Sequence, residues 1–146
     1  MYTSHRVGHQ AVSLLCACAL FLAALYLPFP ASAQGSVRVG LVVDPGDGTL
    51  ITQIVDLSQP DPTGYDVLQQ SGLEILAHSS AMGVAICSIA GTGCPASDCF
   101  CQSPQNSWTY WHMEDGAWVY SLVGASSYRV EDGAVEGWRW GSGNPP

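Results

Sequence analysis

The sequence has 146 residues, of which 47% are hydrophobic and 11% are charged, and twelve acidic residues face four arginines and no lysine. The formal net charge of −8 argues against nucleic acid and anionic membrane surfaces as partners, because binding to both depends on clustered Lys and Arg. A neutral or cationic ligand, or a positively charged partner, fits this composition better. The length is sufficient for one compact domain with a single core.

The first 33 residues are predicted to be a secretory signal segment. Residues 1–10 carry Arg6 and no acid, residues 11–27 form an apolar run, and residues 31–33 read ASA, a small-x-small cleavage signal. The apolar run of 17 residues is just short of a comfortable bilayer span. An uncleaved N-terminal anchor is the alternative. In both cases we expect a secreted or extracytoplasmic location, and after cleavage we expect no membrane span in the mature chain.

The first predicted elements after the signal segment are a pair of strands and a helix. Residues 37–58 are rich in β-branched residues around the turn PGDG, which predicts a hairpin. Thr63 and Asp66 are spaced as a capping pair, and Gly72 supplies a stop. These signals predict a short helix over residues 64–71, the one helix that we expect in the mature chain.

The rest of the chain is predicted to form strands. Asp-Gly between β-rich runs is a strong hairpin signal, and it occurs twice after residue 107. The predicted strands after the helix are residues 73–80, 83–91, 108–113, 117–123, 127–131 and 134–140, the last four being two hairpins. This pattern predicts one domain over residues 34–140, with a cysteine-rich loop at residues 87–101 and a tail at residues 141–146.

Four cysteines lie in the segment CSIAGTGCPASDCFC, which starts at Cys87. In an exported protein this even number predicts two disulfides. Only one residue separates Cys99 from Cys101, so we do not expect these two to pair. Two pairings stay open, Cys87–Cys99 with Cys94–Cys101, or Cys87–Cys101 with Cys94–Cys99. A four-thiolate zinc site is the alternative, but the spacing lacks a CxxC knuckle, and we predict no metal.

All five tryptophans lie between residues 108 and 140. The two-residue period of a strand places Trp108, Tyr110 and His112 on one face and Trp111 on the other. We predict more ring area than a single helix can cover, and an exposed apolar patch usually marks a contact site. The predicted ligand-binding residues are Trp108, Tyr110, Trp111, His112, Trp118, Trp138 and Trp140. The alternative is a structural role, because cross-strand aromatic pairs each contribute roughly 0.2–1 kcal/mol.

Polar residues near these rings could anchor a ligand, and Gln105, Asn106 and Arg139 are candidates beside His112. His78 and His112 each lack a partner at metal-ligand spacing, so we interpret them as structural or surface residues. The sequence contains no Gly-x-Ser-x-Gly elbow, His-Glu-x-x-His helix or phosphate-binding loop. We therefore predict that the protein is not an enzyme, and we assign it no cofactor.

Three segments resemble the C-terminal domain of the transcobalamin and intrinsic factor group: TGYDVLQQSG, GAWVYSLVG and YRVEDGAVEGWRW. The resemblance covers most of residues 36–140, with departures at Val123, Ala134 and Trp140, where the group has asparagine, aspartate and a smaller aromatic residue. The cysteine-rich loop is extra to the pattern. The resemblance implies an α+β, β-grasp-like fold, with a mostly antiparallel sheet and its hairpins wrapped on one short helix.

Two functional hypotheses follow. The first is an exported module that captures a flat small molecule, by resemblance a corrinoid such as cobalamin, and passes it to a transport protein for uptake. The second is a structural or protein-interaction domain at the cell surface that uses the same aromatic face.

Overall fold

A computed structural model describes residues 35–146, so the predicted signal segment lies outside the described residues. This part of the chain contains one helix, α1 (Gly64–Gln70), and eight strands. The strands are β1 (Val37–Asp44), β2 (Ile51–Leu57), β3 (Ile75–Ser80), β4 (Gly83–Ile89), β5 (Thr92–Gly93), β6 (Ser107–Glu114), β7 (Ala117–Tyr120) and β8 (Val135–Gly141). Within the described range no helix has the length and apolar character needed to cross a membrane.

The strands form two sheets. The larger has the order β2-β1-β8-β6-β7 and the smaller has the order β3-β4-β5. All neighbouring pairs are antiparallel except β1 and β8, which are parallel. The mostly antiparallel α+β prediction with one short helix is thus confirmed for residues 35–146, although the strands divide between two sheets.

Local signals placed the first elements correctly. β1 and β2 form the predicted hairpin, in which Val39 faces Val55. Helix α1 starts with the predicted capping box: Thr63 Oγ1 accepts a hydrogen bond from Asp66 N at 3.2 Å, and Asp66 Oδ2 accepts one from Thr63 N at 2.7 Å. These bonds satisfy two amide groups that have no partner inside the helix.

The predicted hairpin of residues 127–131 with 134–140 is wrong. β8 lies between β1 and β6 instead, and Arg129 makes an isolated bridge to Thr63. Segment 127–131 bonds to the chain just before α1, because Val130 N donates to Pro62 O at 2.9 Å. Asp132 accepts a hydrogen bond from the backbone amide of Arg38 at 2.8 Å. The Asp-Gly turn therefore leads into a strand that pairs with β1, and β8 does not pair with residues 127–131.

The hydrophobic core lies between the larger sheet, α1 and the smaller sheet. Its buried members come from all three: Val39, Leu41, Val43, Val55 and Leu57 from β1 and β2, Val67 and Leu68 from α1, and Ile86 and Ile89 from β4. Tyr110 and Trp138 extend this core toward β6 and β8. The aromatic residues of the two strands are therefore part of the core at one end and reach its boundary at the other.

Candidate functional site

The inner face of β6 and β8 carries paired aromatic rings. Trp108 faces Trp140 and Tyr110 faces Trp138 across the two strands. The two-residue period predicts that Trp108 and Tyr110 share one face of β6, but it does not predict that β6 pairs with β8. The rings of Tyr110 and Trp138 are stacked with centroids 4.7 Å apart. Both side chains are buried, at 6% and 3% exposure, whereas Trp108 and Trp140 are half-buried. The exposed end of this aromatic row is thus at Trp108.

A groove of about 350 Å³ opens above this end of the row. Its floor includes Trp108, Tyr110 and Trp138, and its walls include Phe100 of the cysteine-rich loop and Leu122 of the segment that follows β7. None of the described residues that line the groove carries a formal charge. Such an apolar, aromatic lining is typical of sites that bind small uncharged molecules.

The wall formed by segment 121–125 is attached at both ends. Ser121 N donates a hydrogen bond to Tyr110 O at 2.9 Å, and Tyr65 N of α1 donates one to Ala125 O at 3.1 Å. Between these attachments Leu122 is 94% exposed and Val123 is 50% exposed. The backbone is held while the apolar side chains remain in solvent, as expected of a contact surface.

The cysteine-rich loop that carries Phe100 is fixed by two disulfides, Cys87–Cys99 and Cys94–Cys101. Of the two pairings that the sequence left open, the structure shows this one. Phe100, 60% exposed, lies between the two bonded cysteines of the loop. Each neighbour of Phe100 is thus linked covalently to β4 or to the residue after β5.

Replacing Cys94 and Cys101 together with serine is expected to lower the free energy of unfolding by roughly 2 kcal/mol, because a short loop is released in the unfolded chain. Urea denaturation of the variant and the parent protein measures the difference. Equal midpoints and slopes for the two proteins would contradict the assignment of this bond as a stabilising cross-link.

A buried polar network supports the floor of the groove from below. The side chain of Glu136 on β8 is 1% exposed, and its Oε2 accepts a hydrogen bond from the hydroxyl of Tyr110. Nδ1 of His112 lies 2.9 Å from the same oxygen. The His112 ring is stacked on Tyr128 with centroids 3.6 Å apart. Tyr110, which lines the groove, is therefore held in one orientation.

The network changes the acidity of its members. Burial raises the pKa of Glu136 above its ordinary value, although the hydrogen bonds from Tyr110 and His112 oppose this shift. Burial, with the negative charge of Glu136, raises the pKa of Tyr110 strongly. Tyr110 therefore remains a phenol and acts as a hydrogen-bond donor at physiological pH.

The predicted site residues do not form one surface. Trp108, Tyr110 and Trp138 line the groove, and Trp140 packs beside Trp108 with ring centroids 5.6 Å apart. His112 lies in the buried network, while Trp111 and Trp118 lie on the outer face of the larger sheet. Their ligand-binding role stays a prediction. The expected polar anchors also lie elsewhere: Gln105 and Asn106 do not line the groove, and Arg139 pairs with Asp44.

Sequence reasoning missed Phe100, Leu122 and Val123, which form the exposed rim of the groove. Two signals could have indicated them. Phe100 is an apolar residue fixed between two cysteines, and Leu122-Val123 is an apolar pair in a short connection flanked by Ser121 and Gly124. No local pattern in the sequence distinguishes Glu136, which is buried, from the exposed acidic residues of the turns.

No protein-family model matches the chain, and no curated protein matches it. Among solved structures, haptocorrin in complex with Cbi matches 73% of this chain at 18% identity, with a TM-score of 0.53. The likeness is one of fold. The chain spans 25% of the haptocorrin chain. A protein from Ruminococcus gnavus ATCC 29149, described as a candidate metal-binding protein, matches 75% of this chain and 99% of its own at 18% identity, with a TM-score of 0.49.

Proposed function

We propose that this protein is an exported binding module that holds a flat, largely apolar small molecule in the groove above Trp108, Tyr110 and Trp138. The observation that carries the proposal is the apolar rim: Phe100 and Leu122 remain exposed although both line a groove that also contains the rings of Trp108, Tyr110 and Trp138. Burial of an exposed leucine side chain contributes about 1.5–3 kcal/mol, so occupation of the groove would be favourable.

The ligand class that we propose is corrinoid-like, with transfer to an uptake system. Haptocorrin, whose fold this chain shares in part, is found in complex with the corrinoid Cbi. Because ligand sites are grafted onto folds, the fold alone does not determine the ligand. A groove of about 350 Å³ is near the lower end of small-molecule sites, so a corrinoid would contact it with one edge or face. The two disulfides fit an extracytoplasmic location, and the proposed role is binding without catalysis.

Equilibrium dialysis and tryptophan fluorescence with cobinamide and cobalamin test the proposal. We expect retention of at least one corrinoid and strong quenching, because the coloured ring would lie close to Trp108 and Trp138. Leu122→Asp is expected to weaken binding at least about tenfold, through loss of apolar contact and burial of a charge. Met82→Asp is the matched control, because Met82 is 97% exposed but does not line the groove.

The second candidate function is a protein-interaction domain that uses the same rim. The 94% exposure of Leu122 favours it, because this side chain extends into solvent beyond the groove. Absence of corrinoid retention, together with a protein partner that binds the parent and the Met82→Asp variant but not Leu122→Asp, would select this alternative. Equal corrinoid binding by Leu122→Asp and Met82→Asp would show that the groove is not the corrinoid site.

A further inference from the structure

A second aromatic site lies on the outer face of the larger sheet, on the opposite side from the groove. Trp118 of β7 extends across β6 and lies over Gly137 of β8. A Cβ atom added to Gly137 would lie 2.6 Å from Cζ3 of Trp118, so only a glycine permits this approach. Trp111, the β6 residue that faces Gly137 in register, is buried on the same face.

The chain's own tail reaches this site. Cγ of Pro146 lies 2.8 Å from the same Cβ position on Gly137, so the proline ring and the Trp118 indole both lie over this one backbone position. Residues 142–145 are exposed, whereas Pro146 is half-buried. The tail reverses direction through Gly141 and Gly143, whose φ angles of 136° and 84° are accessible mainly to glycine. The tail thus returns to the sheet specifically at Pro146.

We propose that Trp118, Trp111 and Gly137 form a docking site for a proline of an extended segment, and that Pro146 occupies it within the chain. A proline ring is a rigid apolar group that packs well on an indole. Its segment is already restricted to the extended polyproline conformation, so docking costs little conformational entropy. Gly137 provides the space, and the indole of Trp118 provides the packing surface.

The partner that fits this site is a proline-rich segment of another protein. A short flexible tether gives Pro146 a local concentration in the millimolar range, so the tail competes with any external proline segment. Substituting Pro146 removes the competitor while Trp118 and Gly137 stay in place. None of these residues lines the groove, although Trp111 packs edge-on against Tyr120, which does.

The first test uses the indole N–H signal of Trp118 in ¹H–¹⁵N spectra of the full chain, assigned with Trp118→Phe. Pro146→Ala is expected to shift this signal, whereas the neighbouring Pro145→Ala is expected to leave it in place, because Pro145 is exposed. Equal effects of the two substitutions, or no effect of either, would overturn the contact.

The second test adds a hexaproline peptide to the full chain and to its Pro146→Ala variant, at up to millimolar concentrations. We expect the peptide to shift the Trp118 signal with a Kd several-fold lower in the variant, because the tethered competitor is absent. An alanine-rich peptide of the same length is the matched control. A Trp118 signal in Pro146→Ala that neither peptide moves, or that both move equally, would overturn the proline site.

Discussion

Replacement of Gly64 with alanine is expected to lower the free energy of unfolding by about 3 kcal/mol, the upper end of the range for overpacked sites. A Cβ atom at position 64 would lie 1.7 Å from the hydroxyl oxygen of Tyr110 and 2.5 Å from Cζ of its ring. An unstrained Gly→Ala change stabilises a protein by up to about 1 kcal/mol through the unfolded chain. The collision exceeds that gain, so the net effect is a loss.

Tyr110 cannot relieve the collision by moving aside. Its hydroxyl is bonded to Glu136, and its ring packs against Trp138 and, edge-on, against Tyr128 at 6.1 Å between centroids. The first turn of α1 would therefore have to withdraw from the sheet, which would also strain the bond from Gly64 N to Tyr128 O at 3.1 Å. Thermal and urea unfolding of the variant measure the loss.

Gly124→Ala is the matched control for this measurement. Gly124 has no atom within 4 Å of its Cβ position and no positive φ, so alanine meets neither a collision nor strain there. We expect its midpoint to stay close to that of the parent protein. If Gly64→Ala and Gly124→Ala unfold at the same denaturant concentration, the close approach of α1 to Tyr110 is not a constraint on the fold.

The elements that the sequence predicted correctly depend on neighbouring residues. The capping box of Thr63 and Asp66, the β1–β2 hairpin and the β6–β7 hairpin each require contacts over a few positions, so a local pattern is sufficient. The placement of β8 depends on partners that are distant along the chain. Its parallel pairing with β1 joins residues such as Gly40 and Val135, and no local signal at residues 132–133 distinguishes this connection from a tight hairpin.

The candidate site likewise combines features that a local pattern predicts with features that depend on residues distant along the chain. The alternation of side chains in β6 separates Trp111 from Trp108 and Tyr110 correctly, and this separation alone implies that the seven predicted residues cannot share one surface. The alternation could not predict which residues from other segments line the groove. Phe100 and Leu122 both line the groove because two disulfides and the backbone bonds of segment 121–125 position their segments. Burial of Glu136 likewise follows from tertiary packing.

Removal of one partner of Glu136 is expected to have the second large effect on stability. His112→Leu would leave the buried carboxyl without one of its two side-chain hydrogen bonds, and this loss costs about 1–3 kcal/mol, or more when the buried group is ionised. The double variant His112→Leu, Glu136→Leu should be more stable than the single variant. It replaces the buried carboxyl with an apolar side chain and leaves only the neutral hydroxyl of Tyr110 without its acceptor. Urea unfolding at constant pH compares them. A double variant less stable than His112→Leu would contradict this view of the network.

The pH dependence of stability provides a separate test of the same group. Because the pKa of Glu136 is raised in the folded state, the folded protein binds this proton more tightly than the unfolded chain does. Stability should therefore fall as pH rises from the ordinary carboxyl pKa of 4.5 through the raised value, and should be unaffected by this group below that window. Glu136→Gln removes the titration and retains a similar shape. We expect the free energies of unfolding of parent and Glu136→Gln to diverge with increasing pH across this window, in favour of the variant. Curves that stay parallel would mean that burial of Glu136 does not govern its protonation, and that Tyr110 and His112 offset the cost of desolvation fully.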